Sequence, residues 1–150
     1  MAPQPSEPAR RRAAGAWFDD AESDLANARS LSLHRDEGTS PFAAAFHAQQ
    51  AVEKGLKSLL VYFDIGYPPK HDLGLLIGLL PAGIASIRAP IAGLTVYAVE
   101  QRYVAGAANP MSLNERPNWV DAEEAISSAA QALATVSNDL AVAFAQAEPS

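Results

Sequence analysis

The residue best placed to do chemistry is Glu53, because it falls on the apolar face of a predicted helix. At about 100° of rotation per residue, Glu53 and Gln49 share one face with Phe46 and Leu56. A carboxylate buried on such a face costs several kcal/mol of stability unless a cation or a hydrogen-bond donor pairs with it. We therefore predict that Glu53 points into the protein and has a partner there.

Two arginines are candidate partners for this carboxylate, Arg29 and Arg102. We expect Arg102, because it directly follows an apolar helix face and its guanidinium can bind both carboxylate oxygens at once. The alternative is a different phase of the helix, in which Val52 points inward and Glu53 lies in solvent.

A neighbouring face of the same helix carries His47, Gln50, Lys54 and Lys57, spaced by three, four and three residues. Two lysines on one face of an acidic protein could bind a phosphate or an acidic partner surface. They could equally belong to an ordinary solvated surface, in which Lys57 pairs with Glu53 one turn before it.

His71 and Asp72 follow two prolines at the start of a short predicted helix. Either side chain could cap that helix. A histidine at this place could also act as an acid or base near neutral pH. Because the neighbouring sequence supplies no second catalytic group, we expect the capping role here.

The composition excludes several classes of site. With 11 basic and 17 acidic side chains the formal charge is −6 at pH 7, and a field of that sign repels nucleic-acid backbones. The absence of cysteine excludes disulfides, thiolate zinc sites and thiol nucleophiles. The three histidines lie far apart and no glycine-rich phosphate loop occurs, so we predict no metal and no cofactor. The run Arg10-Arg11-Arg12 is expected to lie in a solvated tail.

Helical periodicity accounts for most of the chain. We predict helices over about 16–32, 41–64, 72–80, 90–103 and 119–145. Ser40 and Pro41 begin the second of them, and Asn118 with Asp121 forms a capping box for the last. No run of alternating β-branched residues predicts a strand. The expected fold is all-α, an antiparallel up-and-down four-helix bundle with one additional short helix.

The predicted helices define one domain over residues 15–146. We expect a disordered N-terminal tail over 1–14 and a C-terminal tail over 147–150. No signal peptide is recognisable, and the longest apolar run, 74–83, is too short to cross a bilayer. We therefore expect a cytoplasmic protein that does not enter a membrane.

Several segments follow one another in an order that is typical of one family. They are Trp17 with Asp24-Leu25, the stretch from Ala45 to Lys54 with Leu56-Lys57, then His71-Asp72-Leu73 and Arg102-Tyr103. Together they resemble the HEPN family over about residues 15–145. The resemblance implies a homodimeric helical bundle, often encoded beside a minimal nucleotidyltransferase in a toxin–antitoxin or nucleotide-binding pair.

Many members of the family that the sequence resembles are metal-independent RNases. They carry an arginine, a polar residue after it, and a histidine five to seven places beyond the arginine. Here Tyr103 follows Arg102 and no histidine occurs through Asn109, so that site would lack its general acid and base. His71 could replace the histidine only if the fold brings it beside Arg102.

The resemblance therefore implies a non-catalytic binding module for a nucleotide, a nucleotidyltransferase partner, or both. Two alternatives remain open, an RNase toxin with a degenerate site that binds RNA, and a structural or regulatory bundle without a small-molecule site. The candidate binding residues are Gln49, Glu53, Lys54, Lys57, His71, Arg102 and Tyr103.

Overall fold

The computed structural model of the chain describes residues 3–84 and 116–147, and no strand occurs in those two stretches. Their secondary structure is helical, which confirms the all-α prediction for this part of the chain. The helices are α1 (Glu7–Leu33), α2 (Pro41–Tyr62), α3 (Leu73–Gly78) and α4 (Trp119–Ala147), with 3-10 turns at Arg35–Glu37 and Ala82–Ile84. The predicted helix over 90–103 lies outside the described residues.

The predicted helix starts are confirmed at three places by side-chain caps. Ser40 Oγ accepts the Ala43 N–H at the start of α2 (3.1 Å), and Asp72 Oδ1 accepts the Leu75 N–H at the start of α3 (3.1 Å). At α4, Asn118 and Asp121 exchange side chain-to-backbone hydrogen bonds of 2.8 and 3.1 Å. These contacts satisfy N–H groups that have no acceptor inside the helix.

The predicted disordered tail over 1–14 is wrong for residues 7–14, which form the first two turns of α1. The physical reason is a local start signal: Ser6 Oγ accepts the Ala9 N–H (3.2 Å), and Pro8 stands in the first turn, where its missing N–H costs nothing. At the other end, Ala147 belongs to α4 and not to a tail.

The prediction that the arginine run is solvated is also wrong for two of its three residues. Arg10 Nε donates to the carbonyl of Tyr62 (2.8 Å), and Arg11 Nη2 donates to the carbonyl of Phe144 (3.1 Å). Both carbonyls lie in the last turn of a helix, where no intrahelical donor is available. The start of α1 is thereby fixed to the ends of α2 and α4, so α1 runs antiparallel to both.

The core lies around α2, which packs against α1, α3 and α4. Gly55 permits a close approach to α4, since a Cβ placed there would lie 2.6 Å from Leu133 Cδ2. Alanines make up most of the buried residues of α1 and α4, whereas α2 buries both alanines and leucines. The fully buried residues include Ala14, Ala21, Ala28, Leu56, Leu59, Leu60, Ala122 and Ala129.

The end of α2 directs the chain back over its own helix. Asp64 adopts a left-handed conformation (φ 56°), and the Ile65 N–H donates to the Leu60 carbonyl (2.9 Å). This is the pattern of a helix C-cap followed by an apolar contact. It places residues 65–72 beside α2, and with them Tyr67 and His71.

Candidate functional site

The carboxylate of Glu53 lies inside the protein, with 1% of the residue exposed. This confirms the predicted inward orientation. His71 Nδ1 lies 2.8 Å from Glu53 Oε1 and 3.1 Å from Oε2, and Lys57 Nζ lies 3.5 Å from Oε1. The predicted partner Arg102 lies outside the described residues, as does Tyr103. Arg29, the other candidate, is exposed and lines a separate groove.

The Lys57 ammonium has aromatic neighbours as well as the carboxylate. Its Nζ lies 5.4 Å from the ring centre of Trp17 and 5.3 Å from that of Tyr67. Both distances are within the range in which a ring face attracts a cation. We call Trp17, Glu53, Lys57, Tyr67 and His71 the Glu53 cluster. Its members come from α1, α2 and the segment between α2 and α3.

Tyr67 is held in its neutral form within this cluster. Burial raises the pKa of its phenol above the usual 10.0, and the negative charge of Glu53 adds to that effect. The hydroxyl therefore keeps its proton at neutral pH and can act as a hydrogen-bond donor.

A second buried carboxylate, Asp24 of α1, contacts two side chains of α2. His47 Nδ1 lies 3.0 Å from Asp24 Oδ1, and Lys54 Nζ lies 2.7 Å from Oδ2. Asp24 is 8% exposed, whereas His47 and Lys54 keep about a third of their side chains in contact with water. We call these three residues the Asp24 cluster.

The basic face that the sequence indicated is therefore balanced by acidic side chains. Each of the two lysines pairs with a buried carboxylate, and the Lys57–Glu53 pair has the one-turn spacing that the sequence offered. Gln50 Nε2 donates to Gln49 Oε1 (3.1 Å). What distinguishes this face is that its cationic groups are held in fixed positions, because the carboxylates beneath them cannot move into water.

Gln49 is fully buried one turn before Glu53. Its oxygen accepts the bond from Gln50, while its Nε2 finds no acceptor within residues 3–84 and 116–147. A buried amide donor without a partner is costly. Gln49 thus offers an inward-facing donor next to the Glu53 cluster.

Of the two residues predicted to cap α3, Asp72 and His71, the structure gives that role to Asp72. His71 contacts Glu53 through Nδ1 instead, and its side chain is 30% exposed. The second group that the neighbouring sequence did not supply comes from α2, 18 residues earlier. An imidazole oriented in this way by a carboxylate can exchange a proton at Nε2.

Sequence reasoning missed the site roles of Trp17, Asp24 and Tyr67. For Asp24 a signal was available, since an acidic residue at one of the mainly alanine and leucine core positions of α1 requires a partner. Trp17 and Tyr67 gave no signal of their own. Their contacts with Lys57 depend on how α1 and the segment after α2 pack around α2.

Within 3–84 and 116–147 no three acidic or histidine side chains converge as metal ligands. None of the helices in those stretches is both long and apolar enough to cross a membrane.

Comparison with known proteins decides the family. The sequence model of the HEPN domain matches residues 14–140. The chain belongs to the HEPN family. A solved structure, that of an archaeal HEPN homologue, superposes with a TM-score of 0.64 at 26% sequence identity, covering 85% of this chain and 97% of that one. Among curated proteins no significant sequence relative was found.

The family assignment confirms the resemblance carried by the segments around Trp17, Glu53 and His71. Both clusters lie within the matched range, whereas Glu7 to Ala13, which includes the arginine run, precedes it. HEPN domains commonly dimerise. Both clusters therefore belong to the part of the chain that the family assignment covers.

Proposed function

We propose that this HEPN protein is a dimeric binding module that holds a nucleotide at the Glu53 cluster. The supporting observation is the Lys57 ammonium, which lies 5.4 Å from the ring centre of Trp17, 5.3 Å from that of Tyr67 and 3.5 Å from the buried carboxylate of Glu53. A nucleotide combines an anionic phosphate with a flat aromatic base. A fixed cation can contact the phosphate and a neighbouring ring can stack on the base, as in proteins that bind single-stranded nucleic acids without base-specific readout.

Each residue of the proposed site has a distinct part. Lys57 and His71 contact the phosphate, and Lys54, held by Asp24, extends the cationic surface along α2. Glu53 fixes Lys57 and His71 before the ligand arrives, which reduces the entropy lost on binding. Gln49 lies beneath them with a free donor. Arg102 and Tyr103, outside the described residues, are proposed to complete the site.

The remaining parts of the proposal follow from membership of the family. We propose that residues 15–146 form the antiparallel four-helix bundle, in the cytoplasm, and that the module acts with a separately encoded minimal nucleotidyltransferase in a toxin–antitoxin-type pair. Co-purification with a nucleotidyltransferase encoded beside this protein tests that partnership. Failure of the two proteins to associate at micromolar concentration would refute the partnership but not the nucleotide site.

Isothermal titration calorimetry with the four 5′-nucleoside monophosphates tests the ligand. We expect at least one to bind, and the matching nucleoside and inorganic phosphate to bind more weakly. Lys57→Met should weaken binding by about 10- to 100-fold, the value of one charged hydrogen bond. Arg12→Gln removes the same charge from an exposed position of α1 and serves as the matched control. Absence of binding to all four nucleotides would overturn the proposal.

A second function, metal-independent RNA cleavage, is favoured by one observation. Glu53 contacts Nδ1 of His71 as a carboxylate contacts a catalytic histidine, and the His71 side chain is 30% exposed. RNA cleavage that persists in EDTA and is lost in His71→Ala would support it. The Lys70→Met protein, changed at an exposed neighbour, is the control. No cleavage by the unmodified protein at high concentration excludes this function.

A further inference from the structure

The contact between His71 and Glu53 fixes which nitrogen of the imidazole carries a hydrogen. His71 Nδ1 lies 2.8 Å from Glu53 Oε1 and 3.1 Å from Oε2. The Lys57 ammonium, 3.5 Å from Oε1, favours the ionised carboxylate, and an ionised carboxylate offers hydrogen-bond acceptors only. The hydrogen therefore lies on Nδ1. In the neutral imidazole Nε2 then has no hydrogen and is itself an acceptor.

This tautomer does not match the phosphate that the proposed function brings to His71. Because Nδ1 is bound to Glu53, Nε2 is the nitrogen left for the phosphate. The oxygens of a phosphate dianion are also acceptors. Two acceptors without a hydrogen between them repel each other, so the contact becomes a hydrogen bond only when Nε2 gains a proton.

The charges of the Glu53 cluster lead to the same result. Glu53 and Lys57 cancel each other, so a neutral His71 leaves the cluster without net charge to meet a phosphate. Lys57 already carries its proton as an ammonium. Tyr67 keeps its own, because burial and the negative charge of Glu53 raise the pKa of the phenol above the usual 10.0. His71 is thus the member of the cluster that can take up a proton near neutral pH.

The other charged groups near His71 in the described stretches, 3–84 and 116–147, do not change this argument. Lys70 and Asp72 flank His71 in the chain, and both are exposed. The Asp72 carboxylate accepts a hydrogen bond from α3. From α1 the cluster receives Trp17, which has no titratable group. The neighbouring Asp24 cluster is balanced by the pairing of Lys54 with Asp24.

We propose that a nucleotide binds the Glu53 cluster together with one proton, which His71 Nε2 takes from solvent and donates to a phosphate oxygen. This inference rests on the proposed function and adds the regulation of the same site by pH. In the complex His71 donates twice, from Nδ1 to Glu53 and from Nε2 to the phosphate. The complex holds one proton more than the separate protein and nucleotide, so raising the pH weakens binding.

Calorimetry at about pH 7.5, where a free phosphate monoester is largely a dianion, measures the uptake. The probe is the nucleoside 5′-monophosphate that binds most tightly of the four. Tris and HEPES release protons with different enthalpies, so the difference between the two binding enthalpies gives the number of protons taken up. We expect uptake approaching one proton per nucleotide, and a Kd that rises by up to about tenfold per pH unit above this pH. Equal enthalpies in the two buffers would overturn the inference.

The chain contains three histidines, so replacing each one assigns the proton. His71→Asn keeps an N–H for Glu53 but has no counterpart of Nε2, and should abolish both the uptake and the pH dependence of Kd. His34→Asn, at an exposed position after α1, is the matched control. His47→Asn makes the same change at the other histidine–carboxylate pair. Both should retain the uptake. Uptake that persists in His71→Asn, or that is lost in His47→Asn, would contradict the assignment to His71.

A measurement on the unmodified protein does not require His71→Asn to bind. In nitrogen NMR of isotope-labelled imidazole rings, the signals of His71 are those that His71→Asn lacks. At about pH 7.5, addition of the same nucleotide should change Nε2 of His71 from an unprotonated to a protonated nitrogen, while Nδ1 stays protonated. An Nε2 that stays unprotonated in the complex overturns the inference but not the nucleotide site. Absence of binding to all four nucleotides overturns the proposed function itself.

Discussion

Replacing Glu53 is expected to cost less stability than replacing Lys57 and His71, the two side chains that pair with it. The asymmetry comes from burial: 1% of the Glu53 side chain is exposed, against 16% of Lys57 and 30% of His71. In Glu53→Gln both former partners reach water by small movements of their side chains. In the double variant Lys57→Met with His71→Ala, the carboxylate stays inside the protein without either partner.

The expected magnitudes follow from these two situations. Glu53→Gln keeps the side-chain volume and loses charged hydrogen bonds near the surface, which costs about 1–2 kcal/mol of the free energy of unfolding. Stranding a buried charge costs about 3–5 kcal/mol. The triple variant, which combines all three substitutions, no longer contains the stranded charge and should therefore regain about 2 kcal/mol relative to the double variant.

Urea denaturation followed by far-UV circular dichroism measures these differences, provided that the dependence of the unfolding free energy on urea concentration is the same in all variants. Lys70→Met, at an exposed lysine of the segment after α2, is the control and should lie within about 0.5 kcal/mol of the unmodified protein. A double variant as stable as Glu53→Gln, or a triple variant no more stable than the double, would refute the argument from burial.

Three further changes test other parts of the fold. Replacing Arg10 and Arg11 by glutamine should lower the free energy of unfolding, measured in urea, by about 1–3 kcal/mol, because two helix-end carbonyls lose charged donors. An unchanged midpoint of urea denaturation would mean that these contacts are not maintained in solution. Gly55→Ala should cost about 1–3 kcal/mol in the same assay, because the methyl group meets α4; a more stable variant would contradict the close approach of the helices. Burial raises the pKa of Glu7, but hydrogen bonds from Arg11 and Tyr62 outweigh it and hold that pKa below 4.5. The stabilising contribution of Glu7 is therefore complete above pH 4.5 and is lost as the pH falls through the lowered pKa. In Glu7→Gln the free energy of unfolding should consequently fall less steeply as the pH is lowered below 4.5. The same steepness in the variant and the unmodified protein would refute this assignment.

The sequence predicted those features that depend on neighbouring residues. Ser40 with Pro41 and Asn118 with Asp121 are start signals within one helical turn, and the structure contains both caps. Ser6 and Pro8 carry the same kind of signal at the start of α1, although the prolines around them are also typical of a disordered tail. The start of α1 therefore also follows from neighbouring residues.

The composition of the site was less predictable, because its contacts join residues far apart in the chain. The inward face of Glu53 follows from helical phase, which is local. His71 reaches Glu53 across 18 residues, and His47 reaches Asp24 across 23. Such pairs depend on how α1, α2 and the segment after α2 pack together, and a single sequence carries no signal for that arrangement.

The fluorescence of Trp17 tests the central claim most directly, because that ring is part of the Glu53 cluster. The chain contains two tryptophans, so Trp119→Phe leaves Trp17 as the sole reporter. Titration with a nucleoside monophosphate that binds in calorimetry should change the Trp17 emission with the same Kd, and the change should be weakened in the Lys57→Met background. Nucleotide binding that leaves the Trp17 emission unaltered, or an emission change of undiminished affinity without Lys57, would contradict the assignment of the nucleotide site to the Glu53 cluster.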